Sequence, residues 1–275
     1  IDIFWAQSDR DWVLNGATVH VSMVGFGDDE EKARELDGKP VAEINANLTA
    51  TIDVTQARIL VENQMICFIG ASPKAPFDIS REVALAFLNS PVNPNGRPNS
   101  EVVRPLISGI DIVQRPRDLF TIDFGLMDLE EAALYEGPFE YVKANVLPVR
   151  ASRRDDYRGK WWQFARPRVE MRAALRGKKH YIATPRIAKH RVFDRFATRV
   201  LANDQTLVFA REDDYFFGVV HSKVHELWAR AMGTQLREAE SGFRYTPTTT
   251  FETYPFPWPP GKEPADDARV AAIAE

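Results

Sequence analysis

Two histidines, His221 and His225, stand four residues apart, with Glu226 next to the second. On a helix this spacing puts both imidazoles on one face, where they could hold a metal ion. The H-E-x-x-H order of helical zinc proteases is not met, and imidazoles also serve to tie packed helices through hydrogen bonds, which is the expected role here. A metal-dependent nuclease needs clustered carboxylates, whereas Asp111, Asp123 and Glu140 are scattered along the chain. The glycine-rich nucleotide loops G-x-x-x-x-G-K-[ST] and G-x-G-x-x-G are absent, as is the G-x-S-x-G nucleophile elbow. One cysteine, Cys67, allows neither an internal disulfide nor a four-cysteine zinc site. No catalytic residue and no metal site is expected.

The cations are a different matter. Between Arg150 and Val200 the chain carries 16 Lys and Arg against 4 Asp and Glu, a local balance of +12, whereas the whole chain stands at −4. The remainder therefore carries −16. Such asymmetry is the footprint of a surface that faces a polyanion. Flat rings interleave with the cations: Arg153, Arg154, Tyr157, Arg158, Lys160, Trp161, Trp162, Arg166, Arg168 and Arg172, then Lys178, Lys179, His180, Tyr181, Arg186, Lys189, His190 and Arg191. Lys and Arg neutralise phosphates, and Arg also reads guanine with two parallel hydrogen bonds. Trp161 and Trp162 could stack on bases, although adjacent tryptophans are more often a packing pair. A loop rich in Asn and Pro, Asn89–Asn99, holds Asn95 and Arg97; it could touch DNA or fold on its own side-chain bonds.

These residues need a scaffold. At 275 residues, 44% hydrophobic and 27% charged, the composition is that of a globular chain with a core of its own. No apolar run is long enough to span a bilayer, and Asp2, Asp9 and Arg10 interrupt any signal sequence, so the cytoplasm is the expected compartment. The first residue is Ile, as expected of a piece of a longer protein. Alternation over Gly16–Phe26 predicts a strand, and Asp28–Lys39 reads as a loop or short solvated helix. Met65–Ile69, Leu119–Phe124, His180–Ala183 and Leu207–Ala210 read as further strands.

Helices are expected from an Asp78 cap through Ala86, from an Asp128 cap to Tyr135 where Gly137-Pro138 stops it, over Phe139–Val146, and over Pro167–Leu175. The longest, Asp214–Met232, ends at Gly233, and Asp266–Ala274 opens another. The Pro-rich Pro255–Pro260 reads as extended. Strands and helices mix without regular alternation, so the fold class is α+β.

Several stretches carry a resemblance: SDRDWVLNGATVHVSMVGF (8–26), NPNGRPNSEVVRP (93–105), IDFG (122–125), EEAALYEGPFEYV (130–142), ATPRIAKHRVF (183–193) and RYTPTTTFETYPFPWP (244–259). In order, and over nearly the whole chain, they resemble the C-terminal half of MmeI-like DNA methyltransferases of type II restriction–modification and related phage-defence systems. The resemblance implies that residues 1–60 are the last strands of a Rossmann-like catalytic domain, 61–258 a target recognition domain, and 259–275 the start of a tail or helix. In that family an upstream part binds S-adenosylmethionine and grips the flipped adenine for N6 methylation with an Asn-Pro-Pro-Tyr motif. Neither element is here; Asn93-Pro94 is followed by Asn95.

The implied chain is thus a DNA-recognition part, inactive alone and binding no cofactor itself. Its implied partners are double-stranded DNA and the catalytic part of the same polypeptide, with no membrane. Arg166, Arg168, Arg172, Arg186, Lys189 and Arg191 are the candidates for base or groove contact, Lys160, Lys178 and Lys179 for phosphate, with Trp161, Asn95 and Arg97 completing the DNA-binding set. The Arg244–Pro257 stretch reads as structural, docking through Phe251, Tyr254 and Phe256. Two alternatives stand beside this: a protein-docking module of such a complex, and a metal-dependent nuclease fragment.

Overall fold

The computed structural model describes residues 2–28, 33–50, 56–152, 159–235 and 242–275. The chain divides into two compact units, 1–58 and 59–275.

The first unit is a four-stranded sheet. Strands β1 (Asp2–Leu14) and β2 (Ala17–Gly27) form a long antiparallel hairpin; β3 (Arg34–Leu36) runs parallel to β1, and β4 (Lys39–Val41) turns back on β3. Both hairpin turns place two consecutive residues in the left-handed region, Asn15-Gly16 (φ 52° and 82°) and Asp37-Gly38 (φ 51° and 78°). Asn-Gly and Asp-Gly are the pairs that accept this backbone most readily, and its twist matches that of the strands. The expected strand over Gly16–Phe26 is β2, with Val19, Val21 and Met23 half-buried and Thr18, His20 and Ser22 exposed. The loop or helix expected over Asp28–Lys39 is corrected: Arg34–Lys39 belongs to a hairpin, while 29–32 lie outside the described residues.

The second unit mixes α and β, as its sequence predicts. It opens with β5 (Cys67–Ile69), β6 (Asp78–Ile79), α1 (Arg81–Leu88), β7 (Val103–Ile107), α2 (Gly109–Val113) and β8 (Phe120–Ile122). Helices α3 (Leu129–Ala133), α4 (Glu136–Asn145), α5 (Leu147–Ala151) and α6 (Val169–Ala174) follow. Then come β9 (His180–Pro185), β10 (Ile187–Ala188), β11 (Asp194–Ala197), β12 (Leu201–Ala202) and β13 (Thr206–Phe209). The chain closes with α7 (Asp214–His221), α8 (Lys223–Met232), β14 (Thr234–Gln235), β15 (Phe243–Arg244) and α9 (Ala268–Ala274).

Three small sheets result, with orders β11-β9-β13-β5, β12-β7-β8-β6 and β10-β15-β14. One core gathers Phe77, Ile122, Phe124, Tyr135 and Trp162; another gathers Phe193, Phe209, Phe216, Tyr245 and Phe251. Pro255–Pro260 runs without regular structure, and Val270 and Ile273 of α9 pack on the Tyr215–Val219 face of α7.

Three helix boundaries differ from the sequence reading. Asp78 lies in β6, and the cap of α1 is Ser80, which accepts from the Val83 N–H. Gly137-Pro138 does not stop a helix but sits in the first turn of α4, where a proline has no intrahelical donor to lose. The single helix expected over Asp214–Met232 is two. Ser222 adopts an extended backbone between α7 and α8, and its hydroxyl accepts from the His225 N–H at 3.1 Å. A serine that caps the second helix this well competes with continuation of the first.

Candidate nucleic-acid interface

The connection from β12 to β13 is the tight turn Asn203–Gln205. The Asn203 side-chain oxygen accepts from the Gln205 N–H (3.0 Å), and its carbonyl accepts from the Thr206 N–H (3.0 Å) and hydroxyl (2.6 Å). The segment after β5 is laid against this turn. A Cβ on Gly70 would stand 2.1 Å from the Asn203 carbonyl oxygen, so only glycine permits the approach. The Ala71 N–H then donates to the Ala202 carbonyl (2.9 Å), and Ser72 and Arg166 exchange backbone hydrogen bonds (3.0 and 3.1 Å). Three chain segments far apart in sequence are thereby fixed side by side.

Their side chains are mostly cationic. Asp204, the acceptor at the centre, receives the Ser72 hydroxyl (2.7 Å) and pairs with the Lys74 ammonium (3.6 Å). Arg168 holds a left-handed backbone (φ 59°) that a long side chain rarely adopts, and its Nε donates to the Gly70 carbonyl (3.1 Å). Arg186 donates Nη1 to the Asp204 carbonyl (3.1 Å). Arg244 stands opposite Ile187 across β10 and β15, where the Tyr245 N–H also donates to the Arg186 carbonyl (2.8 Å). The side chains of Arg166 and Arg244 are exposed and have no partner among the described residues.

Five cations thus lie around the 203–205 turn, with Asp204 and Glu170 as the carboxylates that act on Arg168. Burial lowers the pKa of Arg168, and the neighbouring Arg166 and Arg186 lower it further against the opposing pull of Asp204. The field at this surface is positive and would be relieved by an anion. Two recesses flank Asp204. One, of about 350 Å³, runs beside Ile110, Arg186, Gln205 and Arg244; the other, of about 250 Å³, beside Ser72, Lys74, Thr121 and Asn203.

The structure therefore brings together three of the residues singled out in the sequence, Arg166, Arg168 and Arg186, and adds Lys74 and Arg244. Lys74 lies outside the dense basic stretch, and Arg244 opens the Arg244–Pro257 stretch read as structural, although its own side chain is exposed on this surface. The other residues lie elsewhere. Arg172 donates to Asp123 (2.9 Å) and to the Pro167 carbonyl (2.6 Å). Arg191 is threaded between Phe243 and Tyr245 (4.6 and 5.2 Å to the ring centres) and donates to the carbonyls of Pro185 and Phe243; burial brings its pKa down to about 10. Lys178 and Lys179 precede β9 beside the Thr198 turn, Lys189 follows β10, and Lys160 is exposed near α5.

Trp161 is half-buried against Phe139 and Trp162, a packing pair. The Asn89–Asn99 loop folds on itself. The Asn93 amide donates to Arg97 O and Asn99 Oδ1, Asn95 accepts from the Arg97 N–H, and the Arg97 side chain pairs with Glu101 (2.6 Å) and Glu131 (3.3 Å). Arg153, Arg154, Tyr157 and Arg158 lie outside the described residues.

The histidine pair is structural. His225 is fully buried, with Nδ1 at the Val220 carbonyl (2.7 Å) and Nε2 at the Tyr245 hydroxyl (2.9 Å), and burial pushes its pKa down to about 4. His221 accepts the Phe193 N–H at Nε2 (3.0 Å). No group of three or more His, Cys, Asp or Glu is placed to hold a metal ion among the described residues. Nor, among them, is any helix long and apolar enough to cross a membrane.

Residues 127–258 match the family model described as "MmeI, target recognition domain". This segment is an MmeI-like target recognition domain. It supplies Arg166, Arg168, Arg186, the 203–205 turn and Arg244 to the cationic surface, while the Gly70–Lys74 segment comes from upstream of the matched region in the same compact unit. No curated protein matches the chain. Among solved structures, the chain is similar to the type IIL restriction–modification enzyme MmeI, determined in complex with DNA, with a TM-score of 0.68 at 18% identity. The match covers 99% of this chain and 37% of that one, so the chain spans little more than a third of the length of its solved relative. At this identity the likeness establishes the fold, and the recognition domain keeps that fold with a largely different set of side chains.

Proposed function

We propose that the chain recognises a specific sequence in double-stranded DNA on behalf of a restriction–modification enzyme. The single observation that carries this reading is the convergence of Lys74, Arg166, Arg168, Arg186 and Arg244 on the 203–205 turn, mostly within the target-recognition match. Five cations against Asp204 and Glu170 are oversupplied for folding and suited to a phosphate backbone. In the same reading the reaction is adenine-N6 methylation in a phage-defence setting. S-adenosylmethionine is held by a catalytic part of the polypeptide outside the recognition domain, and the target base is flipped toward it.

The test is a salt series of binding to duplex DNA with the wild-type chain and the variant Arg166→Glu, Arg168→Glu, Arg186→Glu. Wild-type affinity is expected to fall steeply with salt, with a logarithmic slope of about −0.9 per phosphate contact. The variant is expected to lose binding and to keep the wild-type circular-dichroism spectrum. Salt-independent binding, or binding that survives the triple reversal, would overturn the reading.

A further inference from the structure

The two recesses beside Asp204 differ in chemistry, and the difference assigns them different tasks. The smaller presents the Lys74 ammonium and the Ser72 hydroxyl beside two carboxylates, Asp78 and Asp204, and apolar Leu106 and Phe164. The larger is mixed. Arg186 and Arg244 offer forked donors, Gln205 offers a donor and an acceptor on an exposed side chain, and Ile110, Val113 and Ile187 expose apolar surface (44, 47 and 42%).

A phosphate can accept from a glutamine amide, but it has no use for three exposed aliphatic side chains beside it. The edge of a base pair uses all of them. Guanine offers two acceptors to an arginine fork, adenine an acceptor and a donor to a glutamine amide, and thymine a methyl group to an aliphatic side chain. Apolar residues rimmed by polar ones also mark a surface that is covered in use.

We propose that the groove between α2, the β10–β15 pair and the 203–205 turn reads base edges in the major groove of duplex DNA. Arg244 and Gln205 are its principal readers, and Ile110, Val113 and Ile187 are its methyl-contacting wall. This rests on the DNA-recognition reading above and divides that surface in two: Lys74, Arg166 and Arg168 hold the backbone, while the groove sets the sequence.

The geometry supports the division. Gln205 is held at the tip of a turn closed by the Asn203 side chain, so its amide is presented from a fixed backbone. Arg244 projects from a paired strand rather than a loop, opposite Ile187 in register. Precise presentation is what discrimination requires and what a phosphate contact does not.

The experiment is selection of preferred sites from a randomised duplex pool by wild type, Arg244→Gln, Gln205→Ala and Arg166→Ala. Affinity of each for one random-sequence duplex is measured across salt. Arg244→Gln is expected to change the preferred base at one position, with guanine giving way to adenine, and to cut discrimination there by about 5- to 150-fold. Gln205→Ala is expected to relax a different position. Gln205→Ala should bind random duplex within a few-fold of wild type and Arg244→Gln somewhat more weakly, through the loss of one cation, whereas Arg166→Ala should weaken all sequences alike and leave the preference intact.

If wild type selects a site and both groove variants select the same one, the groove assignment falls while the DNA reading stands. If wild type binds no duplex at any salt, both fall. Wild-type binding with no preference at any position would overturn the groove assignment alone.

Discussion

Asp123 and Asp204 each collect several cations, and the two surroundings do opposite things. Asp123 is 4% exposed. Arg104 (3.3 Å) and Arg172 (2.9 Å) occupy its two oxygens, and the Gly125 N–H adds a third bond (3.0 Å). The arginines are themselves tied down, Arg104 to the carbonyls of Thr198 and Arg199 and Arg172 to that of Pro167. This is a closed cross-brace between β7, β8 and α6. Asp204 has a side chain 31% exposed, one ammonium and one hydroxyl on its carboxylate, and arginines that reach past it. Cations at Asp123 are consumed by the fold, whereas those at Asp204 are left over. Positive charge in a sequence is thus two populations, and burial of the acidic partner separates them.

The largest expected effect follows from the closed site. Asp123→Asn leaves two half-buried guanidinium groups without a counter-charge, a loss of roughly 3–5 kcal/mol by analogy with other broken buried pairs. Urea denaturation should show it as a lower midpoint at an unchanged slope. A loss under about 1 kcal/mol would mean that Asp123 is no more structural than Asp204, and the contrast would collapse.

Next in size is a pH effect in the second core, where His225 is buried on the same terms as Asp123. Burial holds its folded pKa at about 4, against 6.5 for an unperturbed imidazole. The unfolded chain therefore binds a proton below pH 6.5 that the folded chain refuses. The contribution of this group is fully present above pH 6.5 and is lost as the pH falls from there toward 4, by roughly 3 kcal/mol in all at about 1.4 kcal/mol per pH unit. Stability measured at pH 5 and pH 8 should show the fall in wild type and a much smaller one in His225→Gln. An equal fall in both would place the acid-sensitive group elsewhere.

How far the sequence reaches depends on which interaction decides each feature. Local chemistry was legible: the alternation of β2, the Asp128 cap, which accepts the Glu131 N–H at 2.8 Å, and the strands at β5, β8, β9 and β13. The hairpin β3–β4 was also written locally, in Asp37-Gly38, as was the β1–β2 turn in Asn15-Gly16, but that signal was passed over beside a charged stretch. The split at Ser222 could have been seen as a cap followed by His225 and Glu226. What no local pattern holds is which arginines are used up. Arg166 and Arg172 are six residues apart and look alike; one is exposed without a partner and the other is locked on an aspartate 49 residues upstream. Lys74 reaches the site only because Gly70 lets one backbone meet another across more than 130 residues, and Arg244 because β15 pairs with β10.

The smallest expected effect probes the surplus directly. Asp204→Asn keeps the side-chain shape and a hydrogen bond to Ser72, and at a partly exposed ion pair it should change stability by less than about 1 kcal/mol. It also removes one of the negative charges, Asp204 beside Glu170, that the surrounding cations must share with a ligand. Duplex DNA should then bind more tightly, by about two- to five-fold at low salt, the scale of a single screened charge a few ångströms from a phosphate. The gain should shrink as salt shortens the screening length below about 10 Å. The measurement is fluorescence anisotropy with one duplex at two salt concentrations. Weaker binding instead would mean that the carboxylate is itself a contact, accepting from a cytosine amino group, and Asp204 would move from the electrostatic brake of the surface to one of its readers.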